Sequence, residues 1–286
     1  MIHSSYLSSK LFLWCEDGRK KLHKLLAKIG ITLQDSRESW IHISPALRKD
    51  LKNKLDSVSE FYGIENVTRL GVIRQFGQSG IMSAGDCAES IAAILETGTR
   101  ATIEENNPEL ETQVYMSNFW SAWDSFDDFS LMKVGVEKAK AIQRAAVSTT
   151  NFIFENDLPK DLGQYRLVIV QDAPELQAFT NPLSLKRLAT WVFEGCLEKN
   201  PVALPMILAI LDEKRKTYLV YGMAALRSRE DVDGIYTNNH FGRIFQSTAT
   251  RINAHIRVDT FDTAIIELSR DDLTRFIEAL VSDANL

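Results

Sequence analysis

The sequence has no apolar run long enough for a membrane. Its longest, Leu167–Val170 and Leu204–Leu211, fall far below the ~20 residues a helical span needs. The N-terminus, Met1-Ile-His-Ser-Ser-Tyr6, has no basic segment followed by an apolar stretch, so no secretory signal is read there. Cysteine is scarce: Cys15, Cys87 and Cys196 form neither a disulfide framework nor a CxxC knuckle, which predicts reduced thiols in a cytosolic or nuclear protein. Histidine is scarce too. His3, His23, His42, His240 and His255 make no HxH, HxxxH or HExxH pattern, so no metal site is predicted.

Phosphate and acyl chemistry are missing as well. There is no GxxxxGK[ST] loop, no GxGxxG after a strand and no GxSxG elbow. Asp172, at the end of a predicted strand, is the one carboxylate placed as in α/β enzymes, but Glu175 three residues on makes it a helix cap. Asp127-Asp128 and Asp271-Asp272 also precede helices, where carboxylates satisfy free amides. The sequence therefore reads as a soluble intracellular binding module with no catalytic centre and no cofactor.

Apolar residues make up 45% of the 286 and charged residues 25%, ordinary for a folded chain. Net charge is −5, but it is unevenly spread. Lys10 to Lys54 holds eleven Lys+Arg against five Asp+Glu; Ile81 to Asp128 holds one against ten. A basic end and an acidic middle imply two surfaces for two kinds of partner.

Periodicity predicts helices over Ser4–Trp14, Asp17–Ile29, Pro45–Tyr62, Ser83–Leu95 and Ser130–Phe154. In Asp17–Ile29, Leu22, Leu25, Leu26 and Ile29 lie on one face with Lys20, Lys21, Lys24 and Lys28 around it, and Gly30 is a stop. Ser44-Pro45 is a start signal and Gly63 another stop. Val72–Phe76 is a predicted strand. Thr97–Glu111 is acidic and aperiodic, which predicts a mobile surface loop. Phe119, Trp120, Trp123, Phe126 and Phe129 recur at helical spacing, which predicts a core face, with base stacking as the functional alternative.

Beyond Leu158, strands Tyr165–Gln171, Met206–Leu211, Thr217–Gly222 and Ala264–Leu268 alternate with helices over Asn181–Val192, His240–His255 and a last one behind Ser269-Arg-Asp-Asp272. The middle two strands predict a hairpin. This is an α/β (α+β) pattern around a mixed sheet.

Asn238-Asn239-His240-Phe241-Gly242-Arg243-Ile244-Phe245 resembles a degraded Gly-Gly-His-x-x-Ala-Ala-Gly element, found in the associated C-terminal domain of DHH phosphoesterases such as RecJ. There, glycine backbone and histidine approach a phosphate. Here asparagines replace the glycines, and Phe241 and Ile244 are expected to obstruct that approach. Together with Leu11-x-x-Trp14, Gly18-Arg-Lys-Lys-Leu22, Ile81-Met-Ser-Ala-Gly-Asp86, Phe241-Gly-Arg243 and Phe261-Asp-Thr-Ala-Ile-Ile-Glu-Leu268, the chain resembles the C-terminal half of the cell division control protein 45 family, the RecJ-like replication factors of eukaryotes.

The resemblance implies a nuclear, non-enzymatic scaffold that joins the MCM ring and GINS in the replicative helicase. It implies a helical insert (1–115), connector helices (116–157) and a DHH-associated domain (158–286). It also implies that an N-terminal DHH domain, with its metal-binding aspartates, lies outside this chain. Arg19, Lys20, Lys24 and Lys28 are the candidate partner-binding residues. Lys138, Lys140, Arg144 and Arg243 are candidates for single-stranded DNA. A residual phosphohydrolase is the enzymatic alternative.

Overall fold

The computed structural model describes residues 16–37, 43–64, 72–96, 108–200, 202–225 and 239–282. The chain divides into two compact units, Met1–Glu89 and Ser90–Leu286. The helix expected over Ser4–Trp14 lies outside the described residues, as do 97–107 of the expected acidic loop.

In the first unit, α1 (Glu16–Ile29) packs on α2 (Pro45–Ser59). Leu25 and Ile29 of α1 meet Leu51 and Leu55 of α2 over Ile64, flanked by Leu22, Leu26, Val58 and Tyr62. Ser44 caps α2, its hydroxyl accepting from the Leu47 amide at 3.2 Å, with Pro45 at the first helical position. Two Gly-Ile pairs close these segments in the same way. Gly30 (φ +77°) and Gly63 (φ +63°) turn left-handed, and the following Ile31 and Ile64 donate back to Leu26 and Ser59, each at 2.9 Å. A short hairpin follows, β1 (Ile73–Phe76) and β2 (Gly80–Ser83), the second unpredicted. Ser83 then caps α3 (Ala84–Glu96), the helix expected over Ser83–Leu95. Its hydroxyl accepts from the Asp86 amide at 2.9 Å and donates to the Asp86 carboxylate at 2.7 Å.

The second unit starts within α3. Ser90 donates to the Met132 carbonyl at 2.8 Å, and a Cβ on Gly135 would stand 2.0 Å from the Ser90 hydroxyl, so the two backbones are in close contact. α4 (Pro108–Asp124) begins inside the segment predicted as a loop, so the loop prediction for residues 108–111 is corrected to helix. α5 (Phe129–Glu155) is the expected long helix, capped by Asp128, which accepts from the Ser130 and Leu131 amides.

The six-stranded sheet has the order β3-β4-β5-β6-β8-β7. Its strands are β3 (Lys160–Asp161), β4 (Arg166–Val170), β5 (Met206–Asp212), β6 (Thr217–Met223), β7 (Ile256–Val258) and β8 (Ile265–Ser269). β4 and β5 run parallel across the helix α6 (Pro182–Lys199); the other pairs are antiparallel, including the predicted β5–β6 hairpin. Tyr221 lies under Lys186 of α6, whereas its neighbour Gly222 lies against Phe241 of α7 (Phe241–Ile252). Adjacent strand residues face opposite sides, so α6 and α7 cover opposite faces of the sheet, with α8 (Leu273–Ser282) packed on α7. This agrees with the expected α/β organisation. β3 and β7 were not predicted.

Three local expectations are corrected. Glu175 sits at φ +58° and opens a 3-10 turn, Leu176–Phe179, with no side-chain cap, so the Asp172/Glu175 box does not form. Ser269 likewise makes no side-chain cap, because the turn Arg270–Asp272 intervenes before α8. The aromatic cluster is not core: Phe119, Trp120 and Trp123 of α4, and Phe126 in the turn after it, are exposed.

Candidate functional site

The predicted basic face of α1 forms. Arg19, Lys20, Lys24 and Lys28 are all exposed, opposite or beside the buried leucine stripe. They are not equivalent. Lys20 is within 3.7 Å of Asp17. Lys28 reaches the 3-10 turn that follows α2 (Glu60–Tyr62), its ammonium 4.0 Å from the centroid of Phe61, which is 76% exposed. Lys24 makes no ion pair with a described residue. The face is thus a basic row ending in an exposed aromatic ring, suited to an acidic partner with an apolar contact at one end.

The predicted DNA-binding residues do not come together. Lys140 and Arg144 share one face of α5, but Glu137 sits on it too. Glu137 holds Lys140 at 2.6 Å, and that hydrogen bond, more than the charges of Lys140 and Arg144, lowers the carboxyl pKa. Lys138 is half-buried on another side of the helix. Arg243 is exposed on α7, which packs on β6 and α8 rather than on α5.

The α7 start is where a phosphate-binding element would lie. Asn238 lies outside the described residues. The Asn239 carboxamide donates to the Gly222 carbonyl at 2.8 Å and accepts from the Phe241 amide at 3.2 Å. It takes one of the amides an anion would use. The expectation that Phe241 blocks the approach is corrected. Its ring is 4% exposed and turned down onto Gly222, so the side chain of Asn239 is what fills the mouth of the helix. Gly242 permits close approach to the Thr263 side chain, not to a ligand. His240 is exposed at the helix start and makes no side-chain cap.

No group of three or more His, Cys, Asp or Glu that could hold a metal occurs among the described residues. Charged groups that sequence reading missed serve the fold instead. Arg166, 2% exposed, is held by Asp161, and this hydrogen bond depresses the Asp161 carboxyl pKa. Burial pushes the neighbouring Cys196 thiol up to about 11. Lys186 pairs with Asp262 at 2.8 Å; burial opposes its charge, but Asp262 together with Tyr221 and Asp259 outweighs that and its pKa is raised. Glu96, on α3, caps α6 from 87 residues away, accepting from Leu183 at 2.8 Å and from Ser184 at 3.1 Å. Such pairs have no local sequence signature.

The family model described as CDC45 matches residues 1–283. The chain belongs to the CDC45 family. It is 35% identical to cell division control protein 45 of Saccharomyces cerevisiae, across 97% of this chain and 47% of that protein. Against the Schizosaccharomyces pombe homolog it is 32% identical, across 98% and 48%. The crystal structure of CDC45 from Entamoeba histolytica superposes with a TM-score of 0.70 at 24% identity, covering 96% of this chain and 52% of that one, which shows a shared fold. The chain spans about half the length of these CDC45 relatives.

Proposed function

We propose that this chain is part of a nuclear replication factor, a non-catalytic scaffold that joins the MCM ring and GINS in the replicative helicase. Membership of the CDC45 family carries the reading. The α7 start supports it: one of the amides a phosphate would take, that of Phe241, is bonded by Asn239, and Gly222 and Gly242 serve packing. In this reading the work is geometric, and the helical pair α1–α2 is one surface of it, contacting the ring through Lys20, Lys24 and Lys28. Charge reversal, Lys20→Glu with Lys24→Glu, should weaken MCM capture in a pull-down while leaving the α1–α2 core intact. Unchanged capture would mean that the lysines are only solvated. An assay with Mn²⁺ and single-stranded DNA should give no turnover; sustained cleavage by the purified chain would overturn the non-catalytic reading.

Binding of single-stranded DNA is a second reading, favoured by the exposed Arg144 and Arg243. A fluorescence titration should show affinity that falls steeply with salt. No binding at low salt would remove it for this chain.

A further inference from the structure

Helix α4 is amphipathic with its faces reversed. The side turned inward is small and polar. Ala122 is buried, as is Ser125 in the turn that follows the helix, and Asn118 donates to the Leu95 carbonyl at 3.2 Å. The opposite side carries Tyr115, Met116, Phe119, Trp120 and Trp123, between 37% and 62% exposed. They form one row about 12 Å long at the helical rise of about 1.5 Å per residue. Much of their shelter comes from each other. Phe119 meets Trp120 edge-on at 5.2 Å and stacks on Trp123 at 6.5 Å.

Half-exposed side chains of this size leave roughly 400–500 Å² of apolar surface in the row. A patch of about 300–600 Å² on a monomer is often functional. Its electrostatic setting narrows the occupant. Between Arg100 and Lys133 the sequence has seven Asp+Glu and no Lys or Arg. Asp124 is exposed at the end of the same helix. A nucleic acid would meet aromatic rings on a helix that carries no cation of its own to neutralise phosphates, and that carries carboxylates instead.

We propose that this face docks a basic amphipathic helix of a partner protein. The partner's apolar stripe lies along the row of rings. Its flanking Lys and Arg reach Asp124 and the open faces of Trp120 and Trp123, where cations are favoured. This rests on the exposed row and its charge, not on the helicase reading, so either can fail alone.

The test uses the full chain and a fluorescein-labelled designed helix of about 20 residues, long enough to hold its structure. The helix carries a leucine stripe flanked by lysines. A matched helix with glutamates for lysines, and oligo-dT, serve as the other arms. The lysine helix should bind, and binding should weaken at least about tenfold in Trp120→Ala/Trp123→Ala and severalfold in Asp124→Lys. Because these side chains are exposed, both variants should melt with the parent chain. Equal binding of the glutamate helix or oligo-dT overturns the proposal, as does binding indifferent to the tryptophans. So does a large loss of melting temperature in the tryptophan variant, which would show the rings to be packed internally. Sedimentation showing self-association that the tryptophan variant abolishes would assign the face to a second copy instead, and would also overturn it.

Discussion

Replacing Gly222 by alanine tests how α7 is seated on the sheet. The added methyl would stand 2.2 Å from Cγ and 2.4 Å from Cβ of Phe241. Carbon contacts settle at about 3.5–4.0 Å, so ring or helix has to retreat by roughly 1.3–1.8 Å. Neither has room. The Phe241 ring contacts Phe245 at 5.4 Å between centroids, and Phe245 contacts Phe276 of α8 at 5.8 Å. The strand is equally fixed, with the Gly222 amide on the Ala264 carbonyl at 2.9 Å and the Gly222 carbonyl on Asn239. Overpacking of this kind costs about 1–3 kcal/mol. The lower backbone entropy of alanine in the unfolded chain returns only about 0.4–1 kcal/mol. The net loss is about 1–2 kcal/mol, a fall in Tm of roughly 2–8 °C for a domain of this size. Urea denaturation followed by circular dichroism measures it. Phe241→Ala alone opens a cavity and costs about 3–5 kcal/mol. In the double variant the methyl occupies space the ring has left, so the combined loss should fall short of the sum by about 1 kcal/mol or more. A Gly222→Ala chain as stable as the parent, or a strictly additive double variant, would refute the proposed contact.

Glu96→Ala should destabilise the second unit by about 0.5–2 kcal/mol, the usual cost of a lost N-cap, and hydrogen exchange should speed up at the Leu183 and Ser184 amides. Asp161→Asn probes pH linkage. The folded-state pKa of Asp161 is lowered by its hydrogen bond to Arg166, so its stabilisation is complete above the unfolded value of about 3.9 and is lost as pH falls through the lower folded value. The variant should be weaker than the parent at neutral pH, and urea midpoints of the two should converge on acidification; parallel curves would contradict the linkage. Cys196, its thiol raised to about 11 by burial, should resist a disulfide reagent at neutral pH until the chain unfolds, whereas rapid labelling of the native chain would show the site to be open.

The elements most legible in the sequence are those with local chemistry. Ser44-Pro45, Gly30, Gly63 and Asp128 act where they stand, through amides a few residues away. The long apolar β5–β6 hairpin is legible because β5 is buried throughout and β6 is buried from Tyr218 on. What was missed depends on distant partners. β7 is three residues long and exists because Ile256 to Val258 pair with β8. Nothing near Glu96 announces Leu183. The aromatic spacing reads as one helical face, but the helix ends at Asp124: Phe119, Trp120 and Trp123 share a face of α4, Phe126 lies past its end and Phe129 opens α5, and the buried Ala122, not the rings, marks the inward side. At the α7 start, His240 and Gly242 were recognisable, but the role of Asn239 depends on Gly222, seventeen residues earlier, and on where Phe241 turns.

The sheet ends in very short margins. β3 has two residues and β7 three, and each already gives one side to its neighbour. Pro159, which has no amide hydrogen to donate, precedes β3, and Arg257 projects from β7 with its side chain 62% exposed. Such borders give an incoming peptide backbone little to zip onto, so strand addition is a poor route of assembly for the described sheet. On the described six-stranded sheet the open surface is offered by side chains rather than by unpaired backbone, so a substitution there can change that surface without disturbing strand pairing.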